Sequence, residues 1–149
     1  MKLCIAASSG GHLSELIRLK DIWKNRDHFF VTTRSFSLDG MNEQSPCYFV
    51  SWANRNHPWR ILKMTYQCFR IAMKEKPDVV ISTGAAVGVL LGVFTKLRGG
   101  RIVWVEIMAR VDGLSLSGRL ILPIADILLV QWPELANESK NIRYVGSVI

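Results

Sequence analysis

Short apolar runs alternate with helical patterns along nearly all of this 149-residue chain, and this alternation constrains the fold more than any other feature. Runs rich in β-branched residues are typical of parallel strands covered on both faces. Strands that alternate with helices predict βαβ units in a parallel, doubly wound sheet. The predicted strands are Leu3–Ala7, Phe29–Thr33, Tyr48–Ser51, Val79–Ser82, Ile102–Val105, Ile127–Val130 and Ile142–Val145. The predicted helices are Leu13–Lys24, Trp59–Glu75, Ala85–Leu97 and Leu114–Leu122.

The pattern predicts a single α/β domain over residues 1–149, with a Rossmann-like parallel sheet and helices on both faces. This length suits one domain with one core. Ligands bind to such sheets beyond the carboxyl ends of the strands. We therefore expect function in the loops at 8–12, 82–86 and 106–113.

Composition limits the classes of partner. Nineteen Lys and Arg against twelve Asp and Glu give a formal charge of +7, which favours nucleic acid, anionic lipid or phosphorylated substrates. The mean hydropathy of +0.18 leaves apolar surface for a partner or a membrane. No apolar stretch of about 20 residues predicts a transmembrane helix, and the first apolar run is too short for a signal peptide. The three cysteines have no CxxC spacing, so neither a zinc site nor a disulfide framework is expected.

The first loop reads Ser8-Ser9-Gly10-Gly11-His12 and joins a strand to a helix. Adjacent glycines allow a sharp turn and close approach of a ligand. The N–H groups at a helix start can bind a phosphate or a carboxylate. A histidine in this crevice could act as a general base near neutral pH. The alternatives are a simple tight turn and a histidine that makes only a local hydrogen bond.

Two more loops follow strands at the same predicted edge. The small residues of Ser82-Thr83-Gly84-Ala85-Ala86 leave room either for a ligand or for close helix packing. Glu106 ends the strand run at 102–105, where its carboxylate could orient a sugar hydroxyl, pair with His12 or remove a proton. The structural alternative for Glu106 is a salt bridge to Arg110 or Arg101.

The helix predicted at 59–75 has a wider apolar arc than a core-facing helix needs. The arc spans roughly 200°, against a minimum of roughly 100° for such a stripe. One of its stripes consists of Trp59, Leu62, Tyr66, Phe69 and Met73. Flanking cations make the pattern typical of an interfacial membrane helix. The predicted membrane residues are Trp52, Trp59, Arg60, Lys63 and Arg70; the alternative is a buried helix with a solvated basic face.

An ordered set of motifs runs over almost the whole chain. It consists of SSGGHLSEL at 8–16, KPDVVISTG at 76–84, Glu106, LSLSG at 114–118, AD at 125–126, VQWP at 130–133 and YVG at 144–146. The set resembles the membrane-anchoring, acceptor-side subunit of the two-subunit eukaryotic UDP-N-acetylglucosamine transferase of lipid-linked oligosaccharide synthesis. Bacterial exopolysaccharide proteins of the PssD type look similar. Two departures are the absence of an N-terminal membrane helix before the first strand, which favours a bacterial or archaeal form, and the lack of a proline in the second loop.

The resemblance implies the N-terminal half of a GT-B glycosyltransferase, a fold that MurG, a wider relative, completes in one chain. A separate nucleotide-sugar-binding subunit of the PssE type would supply the other half as a heterodimer. Carried over, His12 and Glu106 become the catalytic candidates. The substrate-binding candidates are Ser9, Gly10, Gly11, Thr83, Gly84 and Arg110.

The implied reaction transfers a sugar from a UDP-sugar to a lipid-diphosphate-linked saccharide in polysaccharide biosynthesis. It would occur at the cytoplasmic face of the membrane, on a peripherally attached enzyme, without a metal or other cofactor. The PssD resemblance makes UDP-glucuronic acid a candidate donor beside UDP-glucose, UDP-galactose and UDP-N-acetylglucosamine. Either His12 or Glu106 could be the base.

Two other functions compete with this one. The first is a non-catalytic membrane scaffold that recruits the transferase subunit. The second is a nucleic-acid-binding Rossmann domain, prompted by the positive charge. The basic residues at 52–74 cluster around aromatic and apolar ones, which fits lipid better than a duplex backbone, so no nucleic-acid partner is expected.

Overall fold

One parallel sheet of seven strands organises the described residues of this computed structural model, which are 1–33, 45–53, 57–137 and 140–147. The strands are β1 (Leu3–Ala7), β2 (His28–Thr33), β3 (Cys47–Val50), β4 (Val79–Ser82), β5 (Arg101–Val105), β6 (Ile127–Val130) and β7 (Ile142–Tyr144). Their order is β3-β2-β1-β4-β5-β6-β7. The order reverses between β1 and β4, which makes this the switch point where such folds bind ligands. The predicted Rossmann-like sheet is confirmed.

Five α-helices connect these strands in the described part of the chain. They are α1 (Gly11–Arg18), α2 (Lys20–Trp23), α3 (Pro58–Glu75), α4 (Ala85–Leu97) and α5 (Leu116–Ile121), and a 3₁₀ helix at Pro133–Asn137 follows β6. The bounds of β1, β4, β6 and α4 coincide with those predicted from the sequence.

Two helix predictions were wrong in their bounds. The helix predicted at 13–24 is divided at Leu19, whose N–H bonds the carbonyl of Leu16 in a tightened turn. The break lets the Trp23 indole pack 5.1 Å from the Phe30 ring. The last predicted helix begins at Leu116 because Ser115 is its N-cap, with Oγ accepting from Gly118 N at 2.9 Å.

Helices α3, α4 and α5 cover the first face of the sheet. Under α3 and α4 lie Cys4 and Val80, which are fully buried and paired across β1 and β4. Further along the sheet, Trp104 and Leu128 are paired across β5 and β6 and are fully buried against α5 and the 3₁₀ helix. Complete coverage on this side is what a parallel sheet requires.

The second face is covered only in part by the described residues. Helices α1 and α2 pack over β1 and β2 with Leu13, Leu16 and Trp23. Beyond them, Val103 on β5 and Leu129 on β6 are only half-buried. An apolar groove of about 460 Å³ runs above β4, β5 and β6, and its walls are Leu19 and Ile22 on one side and Val145–Ser147 on the other. Among the residues that the structure describes, no helix covers this strip of the sheet as helices cover the opposite face.

Candidate active site

The loop after β1 leaves open space at the switch point. Gly10 has a φ of +92°, in the left-handed region, and is the N-cap of α1 without a capping side chain. A Cβ added at Gly10 or at Gly11 would meet no atom of the described residues within 4 Å. Ser9 is fixed to the end of β2, because its N–H donates to Thr33 Oγ1 at 3.0 Å. The first turn of α1 therefore offers N–H groups toward open space, as an anion site requires.

His12 is held against the loop after β4 by two reciprocal bonds. Its Nδ1 lies 2.8 Å from the carbonyl oxygen of Thr83, and Thr83 Oγ1 donates back to the carbonyl of His12. A carbonyl oxygen can only accept, so Nδ1 carries the hydrogen in the neutral ring. The lone pair of that ring is consequently on Nε2. The structure thus brings together three candidate site residues from two separate loops: His12 after β1, and Thr83 and Gly84 after β4.

Small residues in the second loop serve close packing. A Cβ on Gly84, whose φ is +139°, would lie 2.5 Å from Cε1 of His12, so the glycine makes room for the imidazole. Gly88 does the same for Ser82, whose Oγ would be 1.9 Å from an added Cβ. Ala85 has a φ of +66°, which is uncommon for a residue with a side chain. Backbone strain of this kind is often found at functional sites.

Glu106 lies at the carboxyl end of β5, as expected, but its carboxylate is 1% exposed. Oε2 accepts from Ser115 Oγ at 3.0 Å and from Ser115 N at 3.3 Å. Gly118 permits this arrangement, since an added Cβ would stand 2.1 Å from Oε2. Among the described residues, Oε1 has no hydrogen-bond partner, and Glu106 forms no ion pair with Arg101 or Arg110. His12 and Glu106 therefore bond different partners.

Glu15 and Gln131 also contribute to the site, although neither was predicted as a site residue from the sequence. Glu15 follows His12 by three positions on α1, so the two side chains leave the helix on neighbouring sides. Its carboxylate accepts from Gln131 Nε2 at 2.8 Å and from Met108 N at 3.3–3.4 Å. Gln131 Nε2 also donates to the carbonyl of Glu106 at 3.1 Å. Both residues lie within motifs that were noticed, SSGGHLSEL and VQWP, but their contact spans 116 positions and left no local pattern.

Arg110 is exposed in the turn between Glu106 and Ser115. This turn surrounds a small polar pocket of about 150 Å³ with Asp112 and Arg119 in its lining. Arg110 does not contact His12 through any hydrogen bond found in the described ranges. It contributes a cation to the same edge of the sheet.

The apolar row predicted on α3 is largely exposed. Trp59 is 80% exposed, Leu62 and Tyr66 are each 60% exposed, and Phe69 is 44% exposed. The core side of the helix is formed instead by Met64, Cys68, Ile71 and Ala72. The interpretation of α3 as an ordinary buried helix is thus wrong for this row. Trp52, at 55% exposure, lies in the segment before the helix.

Cations flank this row on its β3 side. A groove of about 620 Å³ between α3 and β3 is lined by Lys63, Arg70 and Lys74 together with Tyr48 and Tyr66. The Arg70 guanidinium lies 5.9 Å from the Tyr66 ring centre and the Lys74 ammonium 5.2 Å from that of Tyr48. Arg60 is also exposed. Within the described ranges, no helix has the length and hydropathy needed to cross a bilayer.

Together these features can perform one kind of chemistry. Helix starts at α1 and α4 face the switch point, where an anionic leaving group is favoured by their N–H groups. His12 Nε2 can take a proton from a hydroxyl placed in the same space. No three His, Cys, Asp or Glu side chains in the described ranges are grouped as a metal site.

Solved structures that share this fold define its class. The chain superposes on Acinetobacter baumannii MurG with a TM-score of 0.72 and 16% identity, covering 97% of this chain and 45% of that one. For UDP-GlcNAc 2-epimerase from Methanocaldococcus jannaschii the TM-score is 0.74 with 18% identity, over 99% of this chain and 46% of that chain. The fold is thus a Rossmann-like half of a GT-B protein.

Sequence comparisons give the family. A model described as "oligosaccharide biosynthesis protein Alg14 like" matches residues 47–148, and the chain belongs to that family. The Schizosaccharomyces pombe UDP-N-acetylglucosamine transferase subunit alg14 is 46% identical over 77 residues, which are 48% of this chain and 37% of that protein. The human subunit ALG14 is 24% identical over all of this chain and 83% of its own length. The matches to the Schizosaccharomyces pombe subunit and to the ALG14 subunits of Yarrowia lipolytica and Eremothecium gossypii span 37%, 40% and 38% of the relatives' lengths, less than two thirds in each.

Proposed function

We propose that this chain is the acceptor-binding subunit of a split GT-B glycosyltransferase that transfers a sugar from a UDP-sugar to a lipid-diphosphate-linked saccharide. The observation that carries the proposal is the switch-point geometry: an uncapped α1 start beside His12, whose Nδ1 is engaged by Thr83. Membership of the Alg14-like family supports a role in oligosaccharide biosynthesis, whereas a role in exopolysaccharide synthesis is proposed from the PssD resemblance alone. UDP-N-acetylglucosamine and UDP-glucuronic acid are the first donors to test, from the relatives' names and the PssD resemblance respectively.

The proposed step is an in-line displacement. The acceptor hydroxyl gives its proton to His12 Nε2 while its oxygen bonds the anomeric carbon of the sugar. The bond from that carbon to the diphosphate breaks, and the electron pair leaves with UDP. The N–H groups of Gly10 and Gly11, together with the Ser9 hydroxyl, stabilise diphosphate charge, without a metal ion or other cofactor.

We assign the base to His12 in preference to Glu106. Glu106 is buried from solvent and its Oε2 is bonded by Ser115, whereas a base must reach a substrate hydroxyl. On this assignment Glu106 shapes the loop that carries Arg110. Thr83 and Gly84 position the imidazole, and Arg110 contacts the acceptor.

The partially covered sheet supports a protein partner. Parallel sheets are normally covered on both faces, yet the groove over β4, β5 and β6 is open in the described residues. Three strands at spacings of about 4.8 Å form a strip about 10 Å wide, which matches the diameter of one helix. The GT-B neighbours have roughly twice the aligned length in one chain. We therefore propose that a nucleotide-sugar-binding subunit of the PssE type completes the enzyme and contributes to this strip.

The exposed row on α3 supports attachment to a membrane, and we propose that the face is the cytoplasmic one. Trp59, Leu62 and Tyr66 would enter the interface, while Arg60, Lys63 and Arg70 contact anionic headgroups. The row begins at the carboxyl edge of β3, on the same edge as His12. A lipid-linked acceptor would then reach the crevice from the bilayer.

One observation favours a second candidate function. Glu106, one of the two predicted catalytic residues, is buried from solvent. This burial is expected of a non-catalytic scaffold that recruits a transferase to the membrane.

A transfer assay with a panel of UDP-sugars and a lipid-diphosphate-linked acceptor tests the proposed enzyme. It requires this chain co-expressed with a candidate small glycosyltransferase subunit. We expect transfer from one donor to exceed that from the others. Absence of transfer from every donor, by a complex shown to be assembled and membrane-bound, would contradict the proposal.

A further inference from the structure

We propose that Glu15 is a positioning residue that sets the loop at 107–114 against α1 and so fixes the distance between His12 and the Arg110 side of the crevice. The inference rests on the proposed function for the identity of the substrate that this loop meets. Its structural part stands on the contacts of Glu15 alone.

Glu15 connects three segments that follow different strands. It belongs to α1, which follows β1, and its carboxylate accepts from Met108 N after β5 and from Gln131 Nε2 after β6. Gln131 is 6% exposed, so this junction is sheltered from water. A carboxylate that accepts from N–H donors in such a place forms stronger bonds than a neutral acceptor.

Hydrogen bonds fix the loop at 107–114 at both of its ends, and Glu15 makes the bond at the end near Met108. The N–H of Met108 points to Glu15, and its carbonyl accepts from Trp132 Nε1 at 2.7 Å. At the far end, Ser115 is bonded to Glu106. Between these ends residues 109–112 are exposed and carry Arg110. The position of Arg110 relative to α1 thus depends on the bonds at Met108.

Hydrogen-bond polarity makes this role testable. Oε2 of Glu15 accepts from Gln131 Nε2 at 2.8 Å, and the Met108 N–H lies 3.3–3.4 Å from both oxygens. A glutamine offers only one oxygen, and even with that oxygen in the place of Oε2 its NH₂ group would face the Met108 N–H, donor against donor. Aspartate is shorter but keeps two accepting oxygens. A positioning role therefore predicts that Glu15→Asp is milder than Glu15→Gln, although glutamine is closer in size.

Amide hydrogen exchange of the full-length chain measures the effect directly. In Glu15→Gln we expect exchange about tenfold faster at Met108 and across 109–113, as the loss of one to two bonds implies. We expect a smaller change, under about threefold, in Glu15→Asp. Glu134→Gln, an exposed carboxylate on the 3₁₀ helix, is the matched control and should match wild type. Amides of β1 and β4 should stay protected in every variant.

Wild-type exchange at 108–113 in folded Glu15→Gln, or a larger change in Glu15→Asp than in Glu15→Gln, overturns the proposal. If Glu15→Gln does not fold, Glu15→Asp, which keeps two accepting oxygens at a shorter reach, should still speed exchange at 108–113 by up to about threefold. Unchanged protection in folded Glu15→Asp would then overturn the proposal.

The KM values of the assembled transferase distinguish a positioning role of Glu15 from a general loss of structure, which would not change the KM for one substrate alone. Glu15→Gln should raise the KM for the acceptor about tenfold, with Glu15→Asp in between, while the KM for the UDP-sugar stays within about twofold. Equal changes in both KM values would contradict a role at the acceptor side. The exchange result holds whether or not transfer is found, so failure of this inference and failure of the proposed function are distinguishable.

Discussion

His12 donates its Nδ1 hydrogen to the carbonyl oxygen of Thr83 across 2.8 Å, and Thr83 returns a hydrogen bond from Oγ1 to the carbonyl of His12. The pair joins the loop after β1 to the loop after β4, the two strands that flank the switch point. It orients the imidazole through backbone geometry and leaves Nε2 as the accepting nitrogen.

Removal of the imidazole is the first test of this geometry. His12→Ala should lower turnover of the assembled enzyme by about 10²–10⁴-fold, the usual value of general-base catalysis. Assembly and vesicle binding should be retained, because His12 lies away from the α3 row. His57→Ala, which removes an exposed histidine before α3, is the control. Wild-type turnover in His12→Ala would exclude the imidazole from the mechanism and favour the scaffold.

Gly84 is the second test, because it gives the imidazole its space. Gly84→Ala would place a Cβ 2.5 Å from Cε1 of His12, so the ring must move. Gly99→Ala is a matched control: that glycine also has a positive φ, of +85°, but an added Cβ meets nothing within 4 Å. We expect both to lower the free energy of unfolding by about 1–3 kcal/mol. Only Gly84→Ala should alter the nitrogen NMR shifts of His12; unaltered shifts there would contradict the packing described.

Vesicle binding tests the α3 surface. The triple variant Arg60→Glu, Lys63→Glu, Arg70→Glu should abolish binding to anionic vesicles, and wild-type binding should weaken with salt as screening shortens to about 8–10 Å. The control triple variant Lys20→Glu, Arg26→Glu, Lys140→Glu changes the net charge equally at other exposed positions. Sedimentation with vesicles measures both. Equal loss in the two variants would mean that net charge, and not this surface, determines binding.

Glu75 provides a pH-dependent test of the fold. It accepts from Lys2 Nζ and Tyr48 OH, which ties the end of α3 to β1 and β3. The bond from Lys2, followed by that from Tyr48, lowers the pKa of the Glu75 carboxyl. Since the folded state holds this proton more weakly than the unfolded chain, the stabilisation is complete above the ordinary pKa of about 4.3 and is lost as pH falls through the folded pKa.

Glu75→Gln should therefore lower the free energy of unfolding by about 1–3 kcal/mol at pH 7, and by less below the folded pKa. Urea unfolding of both proteins across this pH range measures the difference. A loss of the same size at every pH would show that the charge of Glu75 is not what stabilises the fold.

Much of the fold followed from local pattern. The largely apolar runs of β1, β4 and β6 predicted their bounds, because runs of apolar and β-branched residues are typical of strands in a parallel sheet. The excess apolar arc of α3 likewise predicted the exposed row of Trp59, Leu62 and Tyr66. These properties are encoded within a few neighbouring residues.

The contacts that shape the site are of a different kind. The break at Leu19 serves Trp23, whose partners His28 and Phe30 belong to the next strand. The position of Glu106 at the end of β5 was predicted, but its coverage by Ser115 depends on the path of the intervening turn. Glu15 and Gln131 meet only because β1 and β6 end at the same edge of one sheet.

Sugar transfer by this chain alone, by its partner alone and by the two together is the most direct measurement of the central claim. On the proposed function, the two walls that enclose a nucleotide sugar belong to two subunits, so neither protein alone should transfer sugar from a UDP-sugar to a lipid-diphosphate-linked acceptor. Activity should appear when they are combined, and it should fall with His12→Ala in this chain. Robust turnover by the purified single chain would contradict the split-enzyme account.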